Sequence, residues 1–394
     1  MQKAASKLLM VAVIIAAAFI LDLKLDLFPA AAESDEAGAM EQTNRLEQLE
    51  LAIAKEFQVR SERFSVSYTG DKQQLSEKLT DVIRAALTHD DYSAYILDSY
   101  IYTIRSWGNK STISIEARYR ETKEQSAVVD TKVAEALAAV LEPGMNRHEK
   151  IKAIHDWIVT RVEYDQSLSH YTAYDAVTLG EAVCQGYALL GFKMLKEAGI
   201  PVRIAEGSVN TGEHAWNMVQ LDGAWYHLDL TWDDPVIKPV PGNERAAAAA
   251  KKDEGAIRYN YYLKTDEELR ADHQWTRTYP AANAKYADTI RELELQGTEE
   301  ERARYSRLKL ALGLHWLEPE YTVSGPEKLR GVIQSALESR TVSLEFRYEQ
   351  AQEFPEALKA AFKNVNVAVG YRASYEPYAG DNSLLVRIQL EYTK

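Results

Sequence analysis

Residues 183–188 read V-C-Q-G-Y-A, residues 199–201 G-I-P, residues 214–217 H-A-W-N, and residues 222–235 D-G-A-W-Y-H-L-D-L-T-W-D-D-P. The stretch holds Cys184, the single cysteine in 394 residues, followed by a histidine and an aspartate in separate elements. A thiol with a base and an orienting carboxylate is the combination that makes sulfur attack carbonyls, so the first expectation is covalent thiol chemistry. After Cys184, Ala188, Phe192 and Leu195 recur at helical spacing, and Gly199 and Pro201 read as the stop. A helix is therefore expected over 185–198 with the thiol in its first turn, where unpaired N–H groups and the positive end of the dipole favour thiolate.

Asp222-Gly223 reads as a two-residue hairpin turn. Leu221 then faces Ala224, and counting outward sets His214 opposite Thr231 and Trp216 opposite Asp229. His214, Trp216 and Met218 share one face with Trp225, His227 and Asp229, while Ala215, Val219, Leu221, Tyr226 and Leu228 form the apolar face expected to meet the core. His214 and Asp229 become diagonal neighbours, about 7–8 Å apart at the backbone, within reach of a carboxylate-to-imidazole hydrogen bond.

With A-Y-D-A-V at 173–177 and Y-Y-L-K-T-D-E-E-L followed by His273 and Trp275, these segments resemble the bacterial transglutaminase-like superfamily over residues 147–275. The resemblance implies an α+β, papain-like core with Cys184 as nucleophile, His214 as general base and acid, and Asp229 orienting His214. Gln185, Trp216 and Trp232 are the cleft or oxyanion candidates, with the Cys184 N–H as one oxyanion donor. Gln185 follows the cysteine, so a papain-like glutamine role does not transfer to it. A buried structural thiol is the common fate of a lone cysteine; the accompanying His214 and Asp229 favour the catalytic reading.

The chain opens with Lys3 and Lys7, an apolar run over residues 8–21, and Ala30-x-Ala32 before the acidic residues 33–36. This reads as a signal peptide, or an uncleaved N-terminal anchor given Asp22, Lys24 and Asp26, and places the protein outside the cytosol, secreted or envelope-associated. No cysteine stands at the end of the run or at the Ala30-x-Ala32 pattern, which excludes a lipoprotein. Six segments are expected: the signal (1–32), a tether (33–50) with a helix beginning near Thr43, an N-terminal α/β unit (51–142), the transglutaminase-like domain (143–285), a helical linker (286–324) and a C-terminal α/β unit (325–394). Both outer units read strand, helix, strand, strand, which suggests a divergent duplication. Residues 239–258, rich in alanine and charge, read as a surface insertion beside the cleft, a tolerated loop in preference to a lid.

Forty-six Lys and Arg against 59 Asp and Glu give a formal charge of −13, and no basic patch is visible, so nucleic acid is excluded as a partner. No His-x-x-x-His or multi-cysteine spacing exists; no metal and no cofactor are expected. The expected partner is a protein or peptide substrate, cell-wall peptide included, with membrane contact only through the N-terminal segment. Acyl transfer or hydrolysis at amide bonds is the expected activity. The alternative is a non-catalytic envelope binding module that uses the same cleft.

Overall fold

The computed structural model describes residues 35–234, 257–363, 369–378 and 381–392, with the backbone alone described for 35–44. The N-terminal signal and most of the 239–258 insertion lie outside the described residues. No helix among the described residues is long and apolar enough to cross a membrane. The chain divides into two units, Met1–Met218 with Asp272–Tyr279, and Val219–Ala271 with Pro280–Lys394.

The first unit opens with α1 (Asp35–Gln58), β1 (Arg63–Thr69), α2 (Lys72–Leu87), α3 (Asp91–Ile96), β2 (Leu97–Trp107) and β3 (Lys110–Tyr119). The helix begins at Asp35 rather than near Thr43, so the expected tether is helical. Residues 35–58 are rich in Ala, Glu, Gln and Leu, all strong helix formers, and Leu49, Ile53 and Phe57 stack on one buried stripe. That stripe and Leu75, Leu79 and Ile83 of α2 pack over Val66, Tyr68, Ile113 and Ile115 of the sheet, whose strands run β1-β3-β2 with both pairings antiparallel.

Next come α4 (Lys123–Val140), α5 (Arg147–Val159), β4 (Glu163–Tyr164), α6 (Ala173–Leu179), β5 (Glu181–Ala182), α7 (Cys184–Glu197), β6 (Val202–Val209) and β7 (Gly212–Leu221). Capping boxes start three of these helices, Thr122/Gln125, Asn146/Glu149 and Thr172/Asp175; each satisfies orphan N–H groups of a first turn. Helix α7 is buried nearly all round, with α4, α5 and α6 against it. Its apolar composition fits that central place: Leu189, Leu190, Met194 and Leu195 are fully enclosed. Asp91 ties α3 to β6, accepting from Arg203 Nε at 2.7 Å, Arg203 Nη2 at 3.0 Å and the Ile204 N–H at 2.8 Å.

Within the first unit, β6 lies beside β7. In the second unit, Asp222 and Gly223 with φ of 48° and 87° turn the chain into β8 (Ala224–Leu228), the left-handed pair that a two-residue turn of this kind demands. Then follow α8 (Asp266–Leu269), α9 (Tyr286–Gln296), α10 (Glu299–Ala311), a short 3-10 turn (Leu314–Leu317), β9 (Thr322–Val323), α11 (Gly325–Glu338), β10 (Ser343–Tyr348), α12 (Phe354–Phe362), β11 (Val369–Tyr378) and β12 (Ser383–Tyr392). The last strands form a sheet ordered β11-β12-β10-β9.

The two outer units correspond closely. Helix, strand, helix and hairpin recur in order, and β10-β12-β11 repeats the antiparallel pairing of β1-β3-β2. Phe64, Val66 and Tyr68 face Ile115, Ile113 and Ser111 as Leu344, Phe346 and Tyr348 face Ile388, Val386 and Leu384. Arg60 and Arg340, at matching helix ends, both adopt positive φ, 55° and 52°. Tyr68 and Tyr348 are both enclosed, and neither hydroxyl has a hydrogen-bond partner among the described residues. Shared order, register and even a shared buried hydroxyl are what copies of one ancestral unit would retain. Parallel β9 beside β10 has no counterpart in the β1-β3-β2 sheet.

Candidate active site

Cys184 is the first residue of α7, with Val183 as N-cap in extended conformation. The backbone holding that cap is itself clamped. Val183 donates to the His170 carbonyl at 2.8 Å, and Asp165 donates from its N–H to the Ala182 carbonyl at 3.0 Å. Gly186 sits where a Cβ would lie 2.6 Å from Ala182 Cβ and 3.0 Å from the Thr172 carbonyl. The motif glycine is therefore what lets the helix start press against α6. Positions at a helix start leave their N–H groups without intrahelical partners, so the Cys184 N–H is available to an oxyanion.

Asp165 anchors the loop under this start. Its carboxylate accepts from the Ser167 N–H (2.8 Å) and hydroxyl (2.6 Å), the Ser169 N–H (2.7 Å) and the His170 N–H (2.9 Å). Burial by itself would raise the Asp165 pKa; the Ser167 hydroxyl and the three backbone donors outweigh it and hold the group far below the usual carboxylate range. A depressed folded-state pKa contributes stability that is present above the unfolded value, about 3.9, and is lost as pH falls toward the folded value. Asp165→Asn is expected to lower the melting temperature at pH 7, and the gap from the parent to shrink as pH is taken down from 5 to 2. A gap constant across that range in a calorimetric pH series would refute the assignment.

Cys184, Gln185, Glu206, Gly207, Ser208, Glu213, His214 and residues Gln274–Arg277 line one cavity of about 330 Å³ in the first unit. Cys184 and His214, from a helix start and from β7, are thus brought to the same space, 4% and 6% exposed. The far wall is built by a close backbone contact: Ser208 and Gln274 exchange two hydrogen bonds of 2.8 Å, and a Cβ on Gly207 would lie 2.1 Å from the Gln274 carbonyl oxygen.

Of the other expected site residues, Gln185 lines the cavity, but its amide Nε2 donates to the Tyr95 carbonyl at 2.6 Å. Reversing the amide would set two oxygens face to face, so one of the two Nε2 hydrogens is committed to Tyr95 and Gln185 serves as a brace there. Trp216 is 1% exposed and lies in the core instead of walling the cleft; its ring stacks on His214 at 5.9 Å and meets His273 edge-on at 5.2 Å. The face of β7 carrying His214, Trp216 and Met218 is buried, as is the apolar face, because residues 272–279 return over it. Trp232, in the second unit, packs edge-on against Tyr261 at 4.9 Å and is not among the lining residues.

Asp229 also belongs to the second unit. It is fully enclosed, donates its N–H to the Tyr261 carbonyl at 3.1 Å, and accepts from the N–H groups of Thr231 (3.0 Å) and Trp232 (3.2 Å).

His273 is the neighbour that the linear reading left without a role. It is fully buried, its ring 5.3 Å from that of His214, and its Nδ1 lies 2.6 Å from Asp272 Oδ1. The available signal was the H-Q-W-T-R run at 273–277, whose histidine and tryptophan both meet Trp216.

The family model described as the transglutaminase-like superfamily matches residues 134–230, a span that includes Cys184, His214 and Asp229 and ends before Tyr259–Trp275. Mouse kyphoscoliosis peptidase is 26% identical over 154 residues, covering 33% of this chain and 23% of the relative. The human protein of that name is 27% identical over 124 residues, covering 27% and 19%. The chain thus spans about a quarter or less of the length of these curated relatives. A crystal structure of a TGase aligns at 13% identity with a TM-score of 0.26, covering 43% of this chain and 50% of that one. Residues 134–230 thus match the transglutaminase-like superfamily, within a mixed helix-and-sheet chain.

Proposed function

We propose that this protein is a thiol enzyme that transfers or hydrolyses the acyl group of protein or peptide amides. The observation that carries the reading is the shared cavity of Cys184 and His214 at the free N-terminus of α7. In the first half-reaction His214 takes the thiol proton, the sulfur attacks the carbonyl carbon, and the Cys184 N–H stabilises the oxyanion. The carbon–nitrogen bond then breaks as His214 returns the proton to the departing amine, leaving a thioester. In the second, water or a primary amine attacks the thioester, gives its proton to His214, and restores the thiol.

Asp229 is assigned the orienting role. Support comes from the two-residue turn at Asp222-Gly223, which is the premise of the register argument for pairing His214 with Asp229, and from the match of the family model over both residues. Asp229 is enclosed and accepts from the N–H groups of Thr231 and Trp232, which fixes the orientation of its carboxylate. The apolar run at 8–21 with Ala30-x-Ala32 supports export, with the enzyme acting at the envelope on peptide substrates.

The test is mass spectrometry of a glutamine-containing peptide incubated with the full chain, with and without a primary amine. Deamidation or backbone cleavage marks water as the acceptor; amine-dependent mass gain marks transfer. No mass change in any arm, with Cys184→Ala identical to the parent, would remove the enzymatic reading.

A further inference from the structure

Three charged side chains line the cavity besides His214: Glu206, Glu213 and Arg277. Two of them cancel. Arg277 Nη1 lies 3.2 Å from Glu206 Oε1, and the Tyr95 hydroxyl donates to Glu206 Oε2 at 3.0 Å. The other nearby cation, Arg203, is committed to Asp91. Glu213, exposed and immediately before His214 on β7, has no ion-pair or hydrogen-bond partner among the described residues. A cysteine–histidine pair carries no net charge whether the proton sits on sulfur or nitrogen, so among the side chains that line the cavity Glu213 is the one negative charge left uncompensated. In a concave site with protein walls such a charge is focused toward the opening and raises the local concentration of cations.

We propose that Glu213 is a specificity-determining residue: it forms a subsite for a cationic group, ammonium or guanidinium, carried by the substrate near the reacting carbonyl. The proposal rests on the acyl-transfer reading of the same cavity and adds what that reading leaves open, the charge of the favoured substrate. Glu206 is held as part of the wall, where its bonds to Tyr95 and Arg277 fix it and leave it little to offer a ligand. Glu213 is the group free to move onto one.

The experiment uses the single cysteine as its own reporter. Cys184 in the full chain is labelled with 2-aminoethyl methanethiosulfonate, a cation, and with 2-sulfonatoethyl methanethiosulfonate, an anion. In both, the thiolate attacks the reagent's sulfenyl sulfur and methanesulfinate leaves, so the two differ only in the charge brought into the cavity. Each rate is divided by that of a neutral cysteine peptide with the same reagent. The expected normalised cation-to-anion ratio is roughly three- to tenfold for the parent, falling toward one in Glu213→Gln, inverting in Glu213→Lys, and compressed at about 0.5 M salt. A ratio unchanged by Glu213→Gln overturns the proposal, and so does a ratio that follows Glu206→Gln instead. Neutral iodoacetamide reports separately on the acyl-transfer reading. A sluggish thiol insensitive to His214→Ala would end that reading, while the charge ratio would still report on Glu213.

Discussion

His214→Ala is expected to slow alkylation of Cys184 by iodoacetamide at neutral pH by about 10- to 100-fold. The thiolate is the reacting species, and the protein has one cysteine, so the labelling rate reports a single group. Cys184 starts a buried helix and is only 4% exposed, and a thiol in apolar surroundings without a base is inert. His214 shares its cavity and is the group able to take the proton there. His214→Ala removes that acceptor and leaves the helix start untouched, because the clamp at Val183 and Asp165 comes from residues 165–182. His214→Gln, which keeps volume and a polar end, serves as the control for packing against Trp216. Equal rates in parent and both variants, matching a free cysteine peptide, would mean that Cys184 is a structural thiol and that the cavity is no active site.

Gly207→Ala is expected to destabilise the protein by about 2–4 kcal/mol, from overpacking and from the two Ser208–Gln274 hydrogen bonds it would break. The added carbon would lie 2.1 Å from the Gln274 carbonyl oxygen and 3.0 Å from the Trp216 ring. Neither can yield cheaply: the first is backbone in a paired segment, and the second is a tryptophan enclosed between His214 and Trp275. Residues 274–277 would have to leave β6, which removes one wall of the cavity and uncovers His273. A urea titration should show a lower midpoint, and hydrogen exchange should report lost protection at Ser208 and Gln274. An unaltered midpoint with protection intact would mean that this return segment does not lie against β6.

Much of the chain could be read locally. The helix from Cys184 was legible because its apolar spacing and its Gly-x-Pro stop are close in sequence. The turn at Asp222-Gly223 was legible because few residue pairs tolerate two successive positive φ values. The strands of the two outer units were legible from their alternation. Helix α3 and helix α11 were not singled out, and α1 was placed too late, because its first turns carry no apolar stripe to mark a start. The burial of both faces of β7 was missed for a different reason. Period-two alternation identifies one face for the core, and it carries no information on whether a segment more than fifty residues later will cover the other.

The sequence by itself determined the place of the single cysteine at a helix tip, the turn that follows at Asp222-Gly223, and the match of residues 134–230 to the transglutaminase-like superfamily, since each depends on contacts or motifs within a few residues. Only the tertiary structure decided that residues 274–277 wall the cavity, that Trp216 is core while Gln185 is a brace, and that Glu206 is neutralised whereas Glu213 is not. Those outcomes turn on which distant backbone comes close enough to pair or to collide, a matter of packing that no local pattern encodes.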